Sequence, residues 1–210
     1  MEYNGIEICW DGHASLRFLD HGFTVAVDPY SAVSPDFEAD IVLLSHADEG
    51  HYDREKLEKV CGPRTVVVAP VSMEHLDIPC NDTEFLEEGE TVDIYNVEIE
   101  AVPMYNEQHE RGEGIGYRFV MGRNSFYVAG DTGFIDEVSQ LEERVGVAFL
   151  PIDGRFTMSI EDAVKMAKRM KPSVVVPYHY GEPFFENTNP RPLKAALEDV
   201  NIDCAVLEQD

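Results

Sequence analysis

A segment of nine residues carries an unusual density of side chains that bind metals. Residues 45–53 read Ser-His-Ala-Asp-Glu-Gly-His-Tyr-Asp and directly follow the apolar run 41–44. Imidazole and carboxylate groups hold a divalent ion well where a rigid backbone fixes their geometry, and the end of a buried strand provides such a backbone. The segment therefore predicts a metal site at a strand end.

Three further polar residues occur where predicted strands or their loops end. They are His109 after Tyr105-Asn106, Asp131 in Ala-Gly-Asp-Thr, and His179 in Pro-Tyr-His-Tyr-Gly. A hydrolytic metal site needs about three protein ligands and an open coordination position, at which bound water is acidified towards a pKa of about 7. We expect the segment 45–53 to supply one part of such a site and these strand ends to complete it.

The elements that must position these residues are predicted from the apolar pattern. Alternation over 6–10, 16–18 and 23–27 indicates an opening meander, followed by buried strands at 41–44 and 65–69 with a helix over 54–60 between them. The second half predicts strands near 116–121, 125–129, 147–150 and 174–176, a helix over 135–143, a helix from the cap Ser159 to Met170, a helix opened by Asn189-Pro190, and a last strand at 205–207. Strands that alternate with helices imply covered sheets.

The two halves of the chain are weakly similar. A strand that ends in aspartate occurs in each half, at Asp28 and at Asp131. This similarity does not establish a duplication, but it suggests two similar sheets that face each other. Acids and imidazoles would then lie along one rim.

Composition limits the partners of such a site. The chain has 210 residues, which we expect to form one domain over 1–210. Sixteen basic and 41 acidic residues give a net charge of −25. Such a charge repels phosphate backbones and anionic lipid, so we expect a small-molecule substrate and no nucleic-acid or membrane partner. A solvated surface adapted to high salt explains the acidity equally well. The sequence leaves a homo-oligomer open.

Cysteine usage and the chain start bear on the compartment. Cys9, Cys61, Cys80 and Cys204 form no Cys-x-x-Cys pair, so we expect small buried residues in a reducing compartment. The sequence starts with no pattern of a secretory signal, and no apolar run approaches about 18 residues. We therefore expect a soluble cytoplasmic protein.

The order of these motifs resembles a known family. Asp28, His46 with His51, His109, Asp131 and His179 are similar to the five motifs of the metallo-β-lactamase-fold hydrolases. Gly12-His13-Ala14-Ser15, Val27-Asp28-Pro29 and Tyr105-Asn106 resemble the branch that includes L-ascorbate-6-phosphate lactonase and related Zn-dependent hydrolases. The resemblance spans residues 6–181. It implies an α+β fold, a four-layer αβ/βα sandwich of two facing mixed sheets with helices outside and the site at one edge.

The resemblance also implies roles for the matching residues. It implies that the first ion is bound by His46, His109 and Asp131, and the second by His51, Asp131 and His179. It implies that Asp28 hydrogen-bonds the ligands without binding an ion itself. We expect His13 to hydrogen-bond the ligands as well, and binding of an ion is the alternative for this residue. The implied activity is hydrolysis of an ester, lactone or phosphoester small molecule by an ion-bound hydroxide, with Asp131, His179 and Asp48 as catalytic residues.

The chain departs from the family signature His-x-His-x-Asp-His at two places. Asp48 stands where the signature has its second histidine, and Gly50 stands where it has aspartate. We expect Asp48 to bind the first ion and to move its preference from zinc towards manganese or iron. Gly50 cannot bind an ion, although Glu49 is long enough to reach the space. One or two ions are compatible with this pattern, and so is a degenerate site in a non-catalytic binding or regulatory protein.

Several polar and aromatic residues lie beside the motifs. We expect Tyr105, Asn106, Tyr180 and Arg111 to contact the substrate, and Arg111 and Arg155 are rare positive charges suited to a phosphate or carboxylate. Packing at the sheet edges explains the tyrosines equally well. Asp53, which precedes a predicted helix, is expected to be its N-cap.

Overall fold

The first seven strands form one sheet in their order along the chain. The structure, a computed structural model, describes residues 1–30, 37–141, 145–181, 184–185 and 188–209. The strands are β1 (Glu2–Tyr3), β2 (Ile6–Gly12), β3 (Ser15–Asp20), β4 (Phe23–Val27), β5 (Ala39–Leu43), β6 (Cys61–Pro70) and β7 (Asp82–Leu86). Neighbouring strands are antiparallel from β1 to β4 and parallel from β4 to β7.

The second sheet repeats this arrangement. Its strands are β8 (Thr91–Ile94), β9 (Val97–Met104), β10 (Gly114–Met121), β11 (Asn124–Val128), β12 (Val147–Pro151), β13 (Val174–Tyr178) and β14 (Asp203–Cys204). Neighbours are antiparallel from β8 to β11 and parallel from β11 to β14. The weak similarity between the halves of the sequence therefore corresponds to two sheets with the same succession of strands.

Helices connect the parallel strands and cover the outer faces. Helix α1 (Arg54–Val60) packs Leu57 and Val60 onto the first sheet, and α2 (Ile160–Met170) and α3 (Arg191–Glu198) pack together on the second. Asp53 accepts a hydrogen bond from the backbone N–H of Lys56 at 3.0 Å, so its prediction as an N-cap is confirmed. Among the helices that the structure describes, none has the length and apolar character needed to cross a membrane.

Aromatic side chains fill the space between the sheets. The ring of Phe18 on β3 lies 5.0 Å from that of Phe119 and 4.9 Å from that of Phe126, measured between centroids. Phe149 on β12 meets the same ring at 5.3 Å. Helix, sheet, sheet and helix thus form the layers, and the predicted α+β sandwich of two facing mixed sheets is confirmed.

Two predicted elements differ in the structure. The last strand is Asp203–Cys204 and not 205–207, because only residues 203 and 204 pair with β13, at Val174 and Val175. The backbone N–H of Ala205 still donates to the carbonyl of Val175 at 3.0 Å, and Val206 beyond it is 38% exposed. The predicted helix over 135–143 is a shorter 3-10 helix, Asp136–Leu141, and 142–143 lie outside the described residues.

The prediction that the cysteines are buried thiols is wrong. Cys61 and Cys80 form a disulfide with their Cα atoms 5.8 Å apart, which ties the start of β6 to the segment before β7. Cys9 and Cys204 are half-buried and take no part in this disulfide. The sequence separation of 19 carries no signal of pairing, because β6 and the turn after it bring the two cysteines together only in the folded chain.

Candidate metal centre

The predicted site residues meet at one edge of both sheets. Strands β4 and β5 are parallel neighbours, as are β11, β12 and β13, so the residues that follow them lie at the same edge. These residues are Asp28, His46, Asp131, Asp153 and His179. The turn between β2 and β3 adds His13, the loop after β5 adds Asp48 and His51, and the loop between β9 and β10 adds His109.

Three of these residues have a backbone conformation that side chains rarely adopt. The φ angles of His13, Asp28 and His179 are 48°, 42° and 60°. Such conformations cost about 1–3 kcal/mol each and persist where the surroundings hold them. The carbonyl of His13 accepts hydrogen bonds from Trp10 Nε1 at 2.9 Å and from the backbone N–H of His179 at 3.0 Å. The first sheet's β2–β3 turn is thereby fastened to the end of β13.

Glycine allows the two sheets to approach each other at the site. The backbone N–H of Ile115 on β10 donates to the carbonyl of Ser45 at 3.0 Å. A Cβ atom on Gly114 would lie 2.8 Å from that carbonyl oxygen and 2.9 Å from Cβ of His46. The close contact behind His46 therefore requires glycine at position 114.

Three of the histidines have an oxygen atom within hydrogen-bond distance of Nδ1, on the side of the ring opposite Nε2. Asp28 Oδ2 lies 2.9 Å from His51 Nδ1, and Asp153 Oδ2 lies 3.0 Å from His179 Nδ1. Ser45 Oγ donates to Asp28 at 2.6 Å and lies 2.9 Å from Nδ1 of His46. A proton held on Nδ1 by such a partner leaves Nε2 free to bind a metal.

The Nε2 atoms of two histidines converge on Asp131. The distance between His51 Nε2 and His179 Nε2 is 3.2 Å, and Asp131 Oδ1 lies 3.3 Å and 3.0 Å from them. Tetrahedral ligands at about 2.0–2.1 Å from zinc are separated by about 3.3 Å. We call the space between these atoms the second position, and its three ligand atoms fit one divalent ion.

A first position lies on the other side of Asp131. Its Oδ2 atom is 4.0 Å from His46 Nε2, while His109 Nε2 is 3.2 Å from Asp48 Oδ2. Ligand atoms of His46, Asp48 and His109 lie within 4.8 Å of one another. Nε2 of His46 is buried and has no hydrogen-bond partner among the described residues. A cation would satisfy this atom, so the donor set fits a divalent ion at each position.

Charges within the centre are strongly coupled. Burial lowers the pKa of His51, but the carboxylates of Asp131 and Asp28 outweigh this effect and raise it to about 10. Burial likewise opposes protonation of His179, whose pKa Asp131 raises. Burial raises the pKa of Asp131, yet the same two imidazoles hold it well below its usual range. Burial lowers the pKa of His13 to about 2, so its ring is neutral.

One cleft opens onto the centre, and a second cleft adjoins the first. One, of about 470 Å³, is lined by Asp48, His109, Gln108 and Phe156 among others. The other, of about 540 Å³, shares Gln108 and Phe156 and contains Arg155. The first position therefore opens to solvent, whereas the second position lies among buried side chains.

The side chain of Asn106 is held by four hydrogen bonds beside the centre. Its side-chain amide donates to the carbonyls of Asp131 at 2.6 Å and Phe156 at 2.7 Å. Its oxygen accepts from the backbone N–H groups of Gln108 at 2.6 Å and His109 at 2.9 Å. These hydrogen bonds allow Asn106 to position the His109 loop. Asn106 also lines the cleft that contains Arg155, and its contact with substrate stays a prediction.

The other expected substrate residues have different surroundings. Tyr180 lines neither cleft: its ring packs on Trp10 at 4.7 Å, and its buried hydroxyl has no partner among the described residues. Arg111 binds Glu137 at 2.7 Å and also Glu88, so carboxylates already neutralise it. Tyr105 lines the cleft that contains Arg155, and its contact with substrate stays a prediction.

Two supporting residues were not predicted from the sequence, and one residue whose role the sequence left open does not join the ligands. Asp153 lies within hydrogen-bond distance of Nδ1 of His179, and Ser45 lies within hydrogen-bond distance of Nδ1 of His46. Each follows the end of a buried strand after one intervening residue, which is close to the signal that marked Asp28. Glu49 is exposed and belongs to none of the ligand clusters found among the described residues, so it does not replace the carboxylate missing at Gly50.

Comparison with known proteins identifies the family. A family model described as a beta-lactamase superfamily domain matches residues 7–179. The chain belongs to the beta-lactamase superfamily. A UPF0173 metal-dependent hydrolase of Methanopyrus kandleri is 30% identical to this superfamily member over 96% of both chains. The predicted superfamily is confirmed, and with it membership of a family of enzymes, while the lactonase branch stays a prediction.

Solved structures share the fold of this superfamily member. A crystal structure from Parabacteroides distasonis is 29% identical, with a TM-score of 0.87 and coverage of 98% of this chain and 94% of that one. Igni18, a metallo hydrolase of the archaeon Ignicoccus hospitalis, is 23% identical, with a TM-score of 0.82 and coverage of 97% and 95%. The two-sheet architecture is therefore that of its superfamily.

Proposed function

We propose that this superfamily member is a metal-dependent hydrolase that binds one or two divalent ions in its His/Asp cluster. The observation that carries the proposal is the convergence of His51, His179 and Asp131 at distances of 3.0–3.3 Å, with oxygen partners behind both imidazoles. Relatives named as metal-dependent hydrolases support the same class. A bound ion supplies acidification of a water molecule and polarisation of the substrate oxygen that it contacts.

The chain's own residues prepare this chemistry. Asp28 and Asp153 orient their imidazoles before any ion arrives, so little reorganisation is needed on binding. Asp131 turns one oxygen towards each position. The side chain of Asp48 is 65% exposed and faces the open cleft. A substrate therefore approaches from the first position, while the buried side of the centre excludes water.

We propose an ester, lactone or phosphoester substrate that carries an anionic group. Arg155 in the neighbouring cleft is exposed, stacks on Phe156 at 4.7 Å, and forms no ion pair with the described residues. In a chain of net charge −25, an unpaired guanidinium beside the metal cleft favours binding of a phosphate or carboxylate.

The proposal is tested by metal reconstitution followed by hydrolysis assays. The protein is stripped with chelator, loaded with zinc, manganese or iron(II), and assayed with 4-nitrophenyl acetate, bis(4-nitrophenyl) phosphate and a simple lactone. We expect metal-dependent turnover of at least one substrate, lost in Asp131→Ala and His179→Ala but not in His75→Ala, whose ring is exposed and bonds Ser72. Less than about a tenth of an ion per chain after loading would instead support a non-catalytic protein.

The role of Arg155 is tested by a split in kinetic constants. Arg155→Ala is expected to raise KM for anionic substrates about tenfold or more, since a charge-assisted hydrogen bond contributes about 1.5–3 kcal/mol. It should leave kcat/KM for a neutral ester unchanged. Arg111→Ala is the matched control, because its guanidinium is already bound by Glu88 and Glu137. Equal effects on charged and neutral substrates would contradict the role.

A further inference from the structure

Gly50 leaves the second position one carboxylate short of the family signature. Its φ is +101°, a conformation that favours glycine. A Cβ atom at this residue would lie 2.7 Å from Nε2 and 2.9 Å from Cδ2 of His13. The imidazole of His13 therefore fills the volume in which any side chain at position 50 would begin.

His13 is buried beside the histidines of the second position. Its residue surface is 4% exposed, and its ring centroid lies 4.0 Å from that of His179. A ring nitrogen of His13 lies within 4.8 Å of ligand atoms of His51 and His179. Nδ1 of His13 is buried without a hydrogen-bond partner among the described residues. A buried polar atom in this state requires an explanation, and a nearby cation provides one.

The backbone presents the His13 ring rigidly. Its carbonyl is held by Trp10 Nε1 and by the N–H of His179, and its φ is +48°. Phe184 packs against the ring with centroids 4.6 Å apart. A side chain fixed in this way needs little ordering when it binds an ion.

We propose that His13 is a ligand of the second ion and replaces the carboxylate missing at Gly50. The inference rests on the proposed metal-dependent function and adds a ligand to it. The first position then has His46, Asp48, His109 and Asp131, and the second has His13, His51, His179 and Asp131. The signature His-x-His-x-Asp-His together with His109, Asp131 and His179 amounts to five imidazoles and two carboxylates. This chain keeps both numbers, but one imidazole and one carboxylate have exchanged positions.

This exchange alters the selectivity of the two positions without altering their combined charge. Oxygen ligands suit manganese, whereas imidazoles suit zinc, copper and iron. The first position, with two carboxylates, becomes the harder site. The second position, with three imidazoles and one carboxylate, becomes the softer site.

The first test measures zinc stoichiometry and affinity without reference to activity. Chelator-stripped wild type, His13→Ala and His75→Ala are titrated with zinc in competition with a chromophoric chelator, and circular dichroism checks their fold. Loss of a residue that only hydrogen-bonds a ligand lowers metal affinity by about 10- to 100-fold. Loss of a ligand should cost more, so we expect His13→Ala to lower the affinity for one zinc ion by about 100-fold or more. His75→Ala should match wild type. Zinc binding by folded His13→Ala within about threefold of wild type overturns the inference.

A second test uses the wild-type chain, so it does not depend on how the variant folds. The protein is labelled with ¹⁵N, loaded with ¹¹³Cd, and examined for scalar coupling between the metal and the histidine rings. Coupling to His13 together with His51 and His179 is the expected result. Coupling to His51 and His179 without His13 overturns the inference but leaves the proposed function intact. Absence of coupling at every histidine contradicts the proposed function itself.

Discussion

Replacement of Asp153 by asparagine probes how the buried acid prepares His179. Its Oδ2 atom lies 3.0 Å from His179 Nδ1, and its side chain is 0% exposed. Its Oδ1 atom accepts from the backbone N–H groups of Arg155 at 2.8 Å and Phe156 at 2.7 Å. In Asp153→Asn the amide oxygen stays with these two donors, so the NH₂ group faces Nδ1. His179 must then carry its proton on Nε2, the atom that points at Asp131.

The magnitude follows from the hydrogen bond that is lost. A hydrogen bond to a charged group contributes about 1.5–3 kcal/mol, and about 1.36 kcal/mol corresponds to a tenfold change in affinity. We therefore expect the zinc affinity of the second position to fall about 10- to 100-fold, as is typical when a ligating histidine loses its carboxylate partner. Removal of the exposed charge of an unrelated acid should have no comparable effect.

The assay is competition for zinc against a chromophoric chelator at pH 7. Asp93→Asn is the matched control, because it removes the same charge from an exposed residue of β8. We expect the control to bind zinc like wild type. If Asp153→Asn, folded by circular dichroism, binds zinc within about threefold of wild type, the reasoning about His179 is refuted.

Three further predictions concern other parts of the molecule. Gly50→Asp should lose bound metal, because its Cβ would lie 2.7 Å from Nε2 of His13. Gly22→Asp is the control, since Gly22 also has a positive φ but its Cβ would meet no atom within 4 Å. The control should keep its metal content. Reduction of the Cys61–Cys80 disulfide should lower the free energy of unfolding by about 3 kcal/mol on the chain-entropy model, and an unchanged urea midpoint would contradict this. Zinc binding at pH 7 should release protons, because a pKa raised to about 10 keeps His51 protonated in the metal-free protein. The zinc affinity should therefore rise as the pH increases towards about 10. Calorimetry in two buffers of different ionisation enthalpy measures the protons released, and a result of none would disprove the prediction.

Local patterns in the sequence predicted most of the sandwich. Helix α1 (Arg54–Val60) has the predicted bounds, because a capping Asp53 and an apolar stripe are both local features. The strands that precede Asp28 and Asp131 were likewise visible as short apolar runs. Their convergence at one edge followed from the rule that parallel strands end together.

Features that depend on two distant segments were not predictable. The sequence favoured a hydrogen bond from His13 to a ligand and left metal binding as the alternative. The proximity of His13 to Gly50, whose added Cβ would lie 2.7 Å from His13 Nε2, is visible only in the fold. The partner of Asp153 depends on the pairing of β12 with β13. Arg111 was a rare cation in the sequence, but the carboxylates that neutralise it come from residues far along the chain.

The chain passes from one sheet to the other through the short segment 87–90, since β7 ends at Leu86 and β8 begins at Thr91. Each sheet is thus a continuous stretch of sequence, yet neither stretch contains all the ligands of either position. During synthesis, His179 is among the last of these residues to emerge. A complete set of ligands therefore forms only late in folding, after the two sheets have packed against each other.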